Sequence, residues 1–181
     1  MSVILHLFPK IRSPQMLKTG DTIVHARYGA GEVVGIREIK RDGKLTRYIC
    51  IELAEERGML MIPDDQTETD EIRPAMTDTQ LICQVMNRTP NQLDDNHRTR
   101  QHAIEKQLKS GNPRQITQAL RDLCWREITN HLTQTDSRLK TDALKRLLHE
   151  LALNSTALDI RDQLTRIINQ AMNKHRQAVE V

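Results

Sequence analysis

The sequence predicts a protein of the α+β class whose two kinds of structure are separate: a small antiparallel β-barrel comes first, and an all-α helical bundle follows. Over residues 17–76, short β-branched runs alternate with turn signals about every 8–12 residues. From residue 77 onwards the period of the apolar residues changes from two to about 3.6, which is typical of packed helices. The links between these helical stretches are short, so neighbouring helices are expected to be antiparallel. A chain of 181 residues is long enough for two such domains.

Each predicted reversal in the β-region, residues 17–76, has its own turn chemistry. Gly29-Ala30-Gly31 allows a tight reversal or a bulge after the first strand. Asp42-Gly43 is a dipeptide that strongly predicts a hairpin. Pro63 stops the fourth strand, because proline cannot donate a ladder hydrogen bond. Strands are therefore expected over residues 22–26, 31–40, 45–53, 59–62 and 71–73.

Five helices are predicted between residues 77 and 173, each beginning at a residue whose side chain can cap the first turn. Asn112-Pro113 is the clearest start, since a cap residue precedes a proline at the first helical position. Gly111 closes the preceding helix as a C′ residue. The last residues, 174–181, are expected to fray. In helix order, the expected caps are Thr77 or Asp78, Asp94 or Asp95, Asn112, Asp136 and Ser155.

Residues 1–16 contain a short apolar run that Pro9 and Pro14 interrupt. The pattern favours a tail that lies against the first domain; the alternative is an added strand, or an arm through which the chain forms a homodimer. The run has neither the basic flank nor the cleavage pattern of a signal peptide. No stretch approaches the roughly 18 apolar residues that a membrane span needs. A cytoplasmic protein that does not enter the membrane is expected.

The sequence lacks the motifs of common enzyme and metal sites. There is no Gly-rich phosphate loop, no H-E-x-x-H and no G-x-S-x-G. Cys50, Cys83 and Cys124 are odd in number, far apart and each within an apolar pattern, which predicts buried, reduced thiols rather than ligands or disulfides. A binding module with no catalytic residues, cofactor or metal is therefore expected.

The two halves of the chain differ in charge. Residues 1–76 carry 11 Lys and Arg against 12 Asp and Glu, whereas residues 77–181 carry 16 against 12. Between residues 97 and 126 the count is 7 basic to 2 acidic. A segment of this kind favours a polyanionic partner, although the same charges also solvate an ordinary helix surface.

Several short motifs are more specific than these patterns. In the first half they are Leu17 to His25, Gly29-Ala30-Gly31, Gly35-Ile36, Asp42-Gly43, Tyr48 and Met61-Ile62-Pro63. Together they resemble the RNA-polymerase-interacting domain of the bacterial CarD/CdnL family, a module that transcription-repair coupling factor shares. The second half is similar to the CarD C-terminal domain at Leu108-x-Ser110-Gly111-Asn112 and Arg121-Asp122-Leu123, and the resemblance covers roughly residues 16–170. It implies a Tudor-like (SH3-like) barrel followed by a helical domain of the DNA-binding type, in a transcription regulator.

The resemblance implies that the barrel pairs edge to edge with the β-subunit of bacterial RNA polymerase. Strand addition draws its affinity from main-chain hydrogen bonds, so the side chains on the edge can vary. A family position that usually holds a basic contact residue falls on Met61 here. Met59 and Met61 serve either barrel packing or an adaptable partner surface. The implied docking residues are Ile39, Lys40, Arg41, Met59, Leu60, Met61 and Ile62.

The resemblance also implies that the helical domain contacts promoter DNA at the upstream fork of the open bubble, without reading its sequence. In the family, a tryptophan near the start of the basic helix wedges into the minor groove and stabilises the open complex. That position falls on His97, and Trp125 lies beside a second aromatic position of the family, which Cys124 takes. The implied DNA-binding residues are His97, Arg98, Arg100, Arg114, Arg121 and Trp125.

Some of these side chains have competing interpretations. His97 can stack at a groove edge or pair with phosphate when protonated, and it can equally be an ordinary exposed histidine. Trp125 has apolar neighbours at helical spacing, which favours packing over a wedge. Arg98 and Arg100 are predicted phosphate contacts, and Arg114 can add to an anion site at a helix start. If the DNA contact was lost with the wedge, the protein is instead an adaptor whose helical bundle binds another protein.

Overall fold

A computed structural model describes residues 17–41, 43–54, 58–64, 72–154 and 157–179. It confirms the predicted fold class, since an antiparallel sheet precedes a set of helices. The predictions for the tail, residues 1–16, and for the Ser155 cap fall outside the described residues. Within the described ranges, no helix combines the length and the apolar character that a membrane span requires.

The N-terminal domain is built from five strands. They are β1 (Thr22–His25), β2 (Gly29–Arg41), β3 (Lys44–Leu53), β4 (Met59–Pro63) and β5 (Ile72–Pro74). All pairings are antiparallel, and the order across the sheet is β4-β3-β2-β1-β5. β4 and β5 are therefore the two edges, and β2 with β3 forms the long central hairpin.

Glycines and a bulge shape this sheet around its core. A Cβ on Gly31 would lie 2.6 Å from the carbonyl oxygen of Glu52, so only glycine lets β2 approach β3 so closely here. Gly43 has φ +81°, as the predicted hairpin requires. The β2–β3 register shifts between Val33 and Gly35, and such a bulge bends the longer strand. The core side chains are Ile23, Val33, Ile49, Ile51 and Ile62.

The C-terminal domain consists of α1 (Gln80–Met86), α2 (His97–Lys109), α3 (Pro113–Thr129), α4 (Gln134–Ala152) and α5 (Ala157–Val179). The predicted restart at Asn112 is confirmed, because its side chain accepts the N–H of Arg114 at 2.9 Å. Helix α5 continues to Val179, within the stretch of residues 174–181 that the sequence predicts to fray.

Three other helix starts differ from the predictions by one to three residues. The N-cap position of α1 is Thr79 rather than Thr77 or Asp78, and its side chain makes no capping hydrogen bond. Asn96, rather than Asp94 or Asp95, caps α2. Thr133, rather than Asp136, caps α4: the Thr133 hydroxyl accepts the N–H of Asp136, and the Asp136 carboxylate accepts the N–H of Thr133. This is a capping box, with aspartate in the place where glutamate or glutamine is usual. For α2 and α4, the sequence therefore predicts the cap at an acidic residue close to the true one.

The helices enclose one apolar core, and a cysteine lies within it. Burial raises the pKa of the Cys124 thiol to about 11. Cys50 is buried in the sheet, but Cys83 is exposed, so the prediction of three buried thiols is wrong for Cys83. The helical period explains the difference: Ile82 and Val85 face the core from α1, and Cys83 between them faces outward.

A partly buried ion pair joins the two domains. Arg73 of β5 donates two hydrogen bonds to the carboxylate of Glu150 on α4, at 2.5 and 2.8 Å, and the Glu150 side chain is only 3% exposed. The same guanidinium donates to the carbonyl of Gly111 at 2.8 Å, and Glu150 also accepts the N–H of Met76 at 2.8 Å. These four residues are termed the junction clamp. A two-pronged arginine–carboxylate pair fixes orientation as well as distance.

Backbone packing closes the junction around the clamp. Gly111 has φ +65°, and a Cβ there would lie 2.7 Å from the Cα of Ala26, so the α2–α3 turn lies directly against the β1–β2 turn. Gly111 is predicted to close α2. It also allows the two domains to pack closely at this turn. A cleft of about 260 Å³ lies beside it, lined mainly by the β1–β2 turn and by α4. The junction thus sets how the sheet is oriented on the helices.

Candidate interaction surfaces

The main-chain groups of Met59 and Met61 point away from the sheet. Leu53 donates its N–H to the carbonyl of Gly58 at 3.1 Å, which marks a hydrogen-bonded pair in the β3–β4 ladder. Such pairs alternate with pairs that exchange no hydrogen bonds. By the register, Leu60 bonds to β3 and its two neighbours do not. Among the described residues no strand pairs with the outer side of β4, so these groups form an open edge.

The side chains of β4 alternate between the core and the opposite face. Leu60 and Ile62 contact the core of the sheet. Met59, which is 50% exposed, and Met61, which is half-buried, lie on the other face. Met61 is the register partner of the buried Cys50. The edge therefore combines free main-chain groups with two flexible apolar side chains, a combination suited to strand addition.

The second predicted docking segment, Ile39 to Arg41, does not adjoin the first. It lies at the tip of the β2–β3 hairpin, where Ile39 pairs with Thr46 and Lys40 with Leu45. Strand β3 separates it from β4, so the two segments do not form one continuous edge. The hairpin tip does carry exposed apolar side chains, with Ile39 39% and Leu45 59% exposed.

The start of α2 presents His97 and Arg98 to solvent. The Asn96 side chain accepts the N–H of Arg98 at 2.9 Å, which leaves the guanidinium outside the capping interaction. His102 and Lys106 follow Arg98 at successive intervals of four residues and are also exposed. An exposed basic stripe therefore runs along α2 from its first turn, and the sequence-based site residues included only its beginning.

Arg100 lies inside the protein. Its guanidinium donates to the carboxylate of Asp136 at 2.8 and 3.3 Å and to the carbonyls of Asp94 and Asp95, and its side chain is 2% exposed. Burial alone would raise the pKa of Asp136, but the hydrogen bonds from Arg100 and Thr133 outweigh it and lower the pKa to about 2. Arg100 cannot reach a phosphate from this position, which corrects the sequence-based prediction.

Arg121 is buried as well, and for a similar reason. It pairs with the neighbouring Asp122 at 2.7 Å and donates to the carbonyl of Val85 at the end of α1. Asp122 in turn accepts two hydrogen bonds from Asn91. This network attaches the α1–α2 connection to α3. The prediction that Arg121 contacts DNA is therefore wrong.

The remaining two predicted DNA contacts, Trp125 and Arg114, lie apart from each other on α3. Trp125 is half-buried against the helical core and meets the ring of His175 edge-on, with centroids 6.1 Å apart. This agrees with the packing interpretation of the tryptophan. Arg114 is in the first turn of α3, beside the junction clamp at Gly111, about 16 Å along the helix from Trp125. Of the six predicted residues, only His97 and Arg98 form one exposed surface.

Neither surface resembles a metal or catalytic centre. In the parts of the chain that the structure describes, no group of three or more His, Cys, Asp or Glu residues could hold a metal ion. Cys124 and Asp136, whose pKa values are shifted, are both buried within the helical domain. The two surfaces instead provide unpaired main-chain groups at β4 and positive charge at the start of α2.

Two family models match the chain. The CarD-like/TRCF RID domain matches residues 17–76, and the C-terminal domain of CarD matches residues 81–165. The gap between the matches, residues 77–80, ends at the first residue of α1, where the sheet has ended and the helices begin. The second match ends within α5, so residues 166–179 of this helix lie beyond it. Together the two matches cover well over half of the 181 residues.

Proposed function

The chain belongs to the CarD-like family of non-enzymatic, transcription-associated proteins, and we propose that it binds the β-subunit of bacterial RNA polymerase through β4 and promoter DNA through the start of α2. The observation that carries the proposal is the open edge of β4 within the domain that matches the polymerase-interacting module. A protein with this function stabilises the open complex, and it acts in the cytoplasm at the nucleoid.

The polymerase contact is proposed to be strand addition at Met59 and Met61. Their outward N–H and C=O groups can continue the ladder into a strand of the partner without any change in the sheet itself. Because the bonds are main-chain bonds, the absence of a basic side chain at position 61 lowers the electrostatic attraction but keeps the pairing. The hairpin tip at Ile39 then contributes, at most, a separate apolar contact.

Replacing Met61 with proline tests this arrangement. Proline removes the outward N–H, and the inward hydrogen bonds from Leu60 and Ile62 to β3 remain. We expect the sheet to stay folded and the affinity for the purified β-subunit, measured by calorimetry with the full chain, to fall about tenfold or more. The control Met61→Val keeps the N–H and should bind nearly as well as the wild type. Equal binding by Met61→Pro and Met61→Val would rule out strand addition at β4.

The proposed DNA contact depends on charge. His97 and Arg98 lie on the exposed start of the α2 stripe, where phosphates can approach. Contacts of this kind are independent of sequence and weaken strongly with salt, so binding to free DNA should be weak at moderate salt. Polymerase would supply the remaining affinity by keeping the domain near the upstream fork.

Arg98→Ala should therefore shorten the lifetime of the polymerase–promoter open complex about three- to tenfold relative to the wild-type protein, through the loss of one phosphate contact. The matched control is Arg161→Ala, which removes the same charge from an exposed position in the first turns of α5. It should leave the lifetime unchanged. If both variants behave like the wild type while polymerase binding persists, the helical bundle binds another protein and the adaptor alternative is favoured.

A further inference from the structure

The C-terminal part of α5, residues 167–179, carries charge of one sign. It contains no Asp or Glu, whereas Asp159 and Asp162 lie in the first turns of the helix. Lys174 and Arg176 are exposed, and none of the described carboxylates lies within ion-pairing distance of either. Basic residues near a C-terminus also complement the helix dipole, so charge alone does not assign them a partner. The inference of a partner therefore depends on where these two residues lie in the fold.

His175, between these two residues, fixes that location. Its Nε2 lies 2.8 Å from the carbonyl oxygen of Met86 at the end of α1, and its ring packs edge-on against Trp125 of α3. The residue after Trp125 is Arg126, which reaches Asp95, just before α2, at 3.4 Å. One turn of α3 therefore has the end of α5 on one side and the start of α2 on the other.

We propose that Lys174 and Arg176, which leave α5 on opposite sides of the buried His175, form a second contact to DNA phosphates, in addition to the one at Arg98. The inference rests on the proposed DNA function of α2 and extends it to a part of the chain beyond the matched C-terminal domain. Arg88, two residues after the end of α1, is also exposed, and Met86 at the end of α1 is in contact with His175. The start of α2 and the end of α5 are thus two cationic segments near the half-buried Trp125. Both bind the phosphate backbone through charge, in a protein that has no protruding tryptophan wedge.

The test is the double variant Lys174→Ala with Arg176→Ala in the full chain, titrated with a forked promoter fragment at several salt concentrations. Each lost phosphate contact lowers the slope of log affinity against log salt by about 0.9, so the slope should fall by about 1.8. Affinity at low salt should fall about tenfold. The control, Arg161→Ala with Arg166→Ala, removes the same charge from earlier turns of the same helix and should keep the wild-type slope.

Two further readouts separate DNA contact from a structural role. Trp125 is the only tryptophan, so its fluorescence should change when wild-type protein binds DNA. If Lys174 and Arg176 only complement the helix dipole, the double variant will melt earlier and bind DNA normally, which overturns the inference. Loss of binding in Arg98→Ala with normal binding in the double variant also overturns it and leaves the proposed function standing. Normal binding in both variants overturns both proposals.

Discussion

Glu150→Ala should uncouple the two domains and shorten the open-complex lifetime more than the loss of any single DNA contact. The carboxylate receives two hydrogen bonds from Arg73 and one from the N–H of Met76, and all three are lost together. Removing one member of a buried pair typically costs about 3–5 kcal/mol, and the value here should be near the lower end because Arg73 is 21% exposed. Binding to the isolated polymerase β-subunit should persist, because β4 lies at the other edge of the sheet from β5.

The measurement is thermal unfolding of the full chain followed by circular dichroism. Wild-type protein should melt in one transition, and Glu150→Ala in two, as the sheet and the helices lose their connection. The control is Glu127→Ala, which removes a carboxylate from the exposed pair with Lys140, where little stability is expected. A double-mutant cycle with Arg73→Ala measures the coupling energy directly. A single transition at the wild-type midpoint in Glu150→Ala would show that the clamp does not hold the domains together.

Helix α4 explains how the clamp can act on a distant DNA contact. Glu150 near its C-terminus is tied to β5, and Asp136 in its first turn is tied to Arg100 of α2. The two carboxylates are about 21 Å apart along the helix axis. Arg100 lies two positions after Arg98, so one helix connects the sheet of the proposed polymerase contact to the proposed DNA contact. Both of its ends are fixed by charged hydrogen bonds, which are directional as well as strong.

The overall architecture was predictable because its signals are local. The Asp42-Gly43 hairpin, the Asn112-Pro113 helix start and the change from period two to period 3.6 each depend on neighbouring residues, and the structure has all three features. The misplaced caps show the limit of this reasoning. Asp94 and Asp136 have the right chemistry for a cap. The choice between them and Asn96 or Thr133, two or three residues away, depends on how each helix meets its neighbours.

The candidate DNA site was less predictable, because exposure depends on partners that are distant in sequence. Arg98 and Arg100 look alike in a basic stretch, yet the second is turned towards Asp136, 36 residues further along the chain. Arg121 is similarly directed inward by its contact with Val85. A count of charges does not separate a buried cation from a solvated one. Nor does any local pattern join Arg73 to a glutamate 77 residues away.

Asp136→Asn should be the most destabilising single substitution of a charged residue in the helical domain. It leaves the Arg100 guanidinium buried at 2% exposure without its counter-charge, and it weakens the capping box at the start of α4. The expected loss is about 3–5 kcal/mol in the free energy of unfolding, a large part of the stability of an ordinary domain. Urea denaturation at neutral pH would measure it. Asp95→Asn is the control, because that carboxylate is 83% exposed and makes only a long contact with Arg126.

The same residue should govern how the protein responds to acid. The folded pKa of Asp136, about 2, lies below its ordinary value of 3.8, so the ionised carboxylate stabilises the folded state by about 2 kcal/mol above pH 4. That stabilisation should disappear as the pH falls from about 4 to about 2, because the unfolded chain takes up the proton first. The unfolding free energy of Asp136→Asn should vary less steeply in this interval than that of the wild type. Parallel curves for the two proteins would mean that another carboxylate controls acid unfolding, since asparagine has no proton to gain.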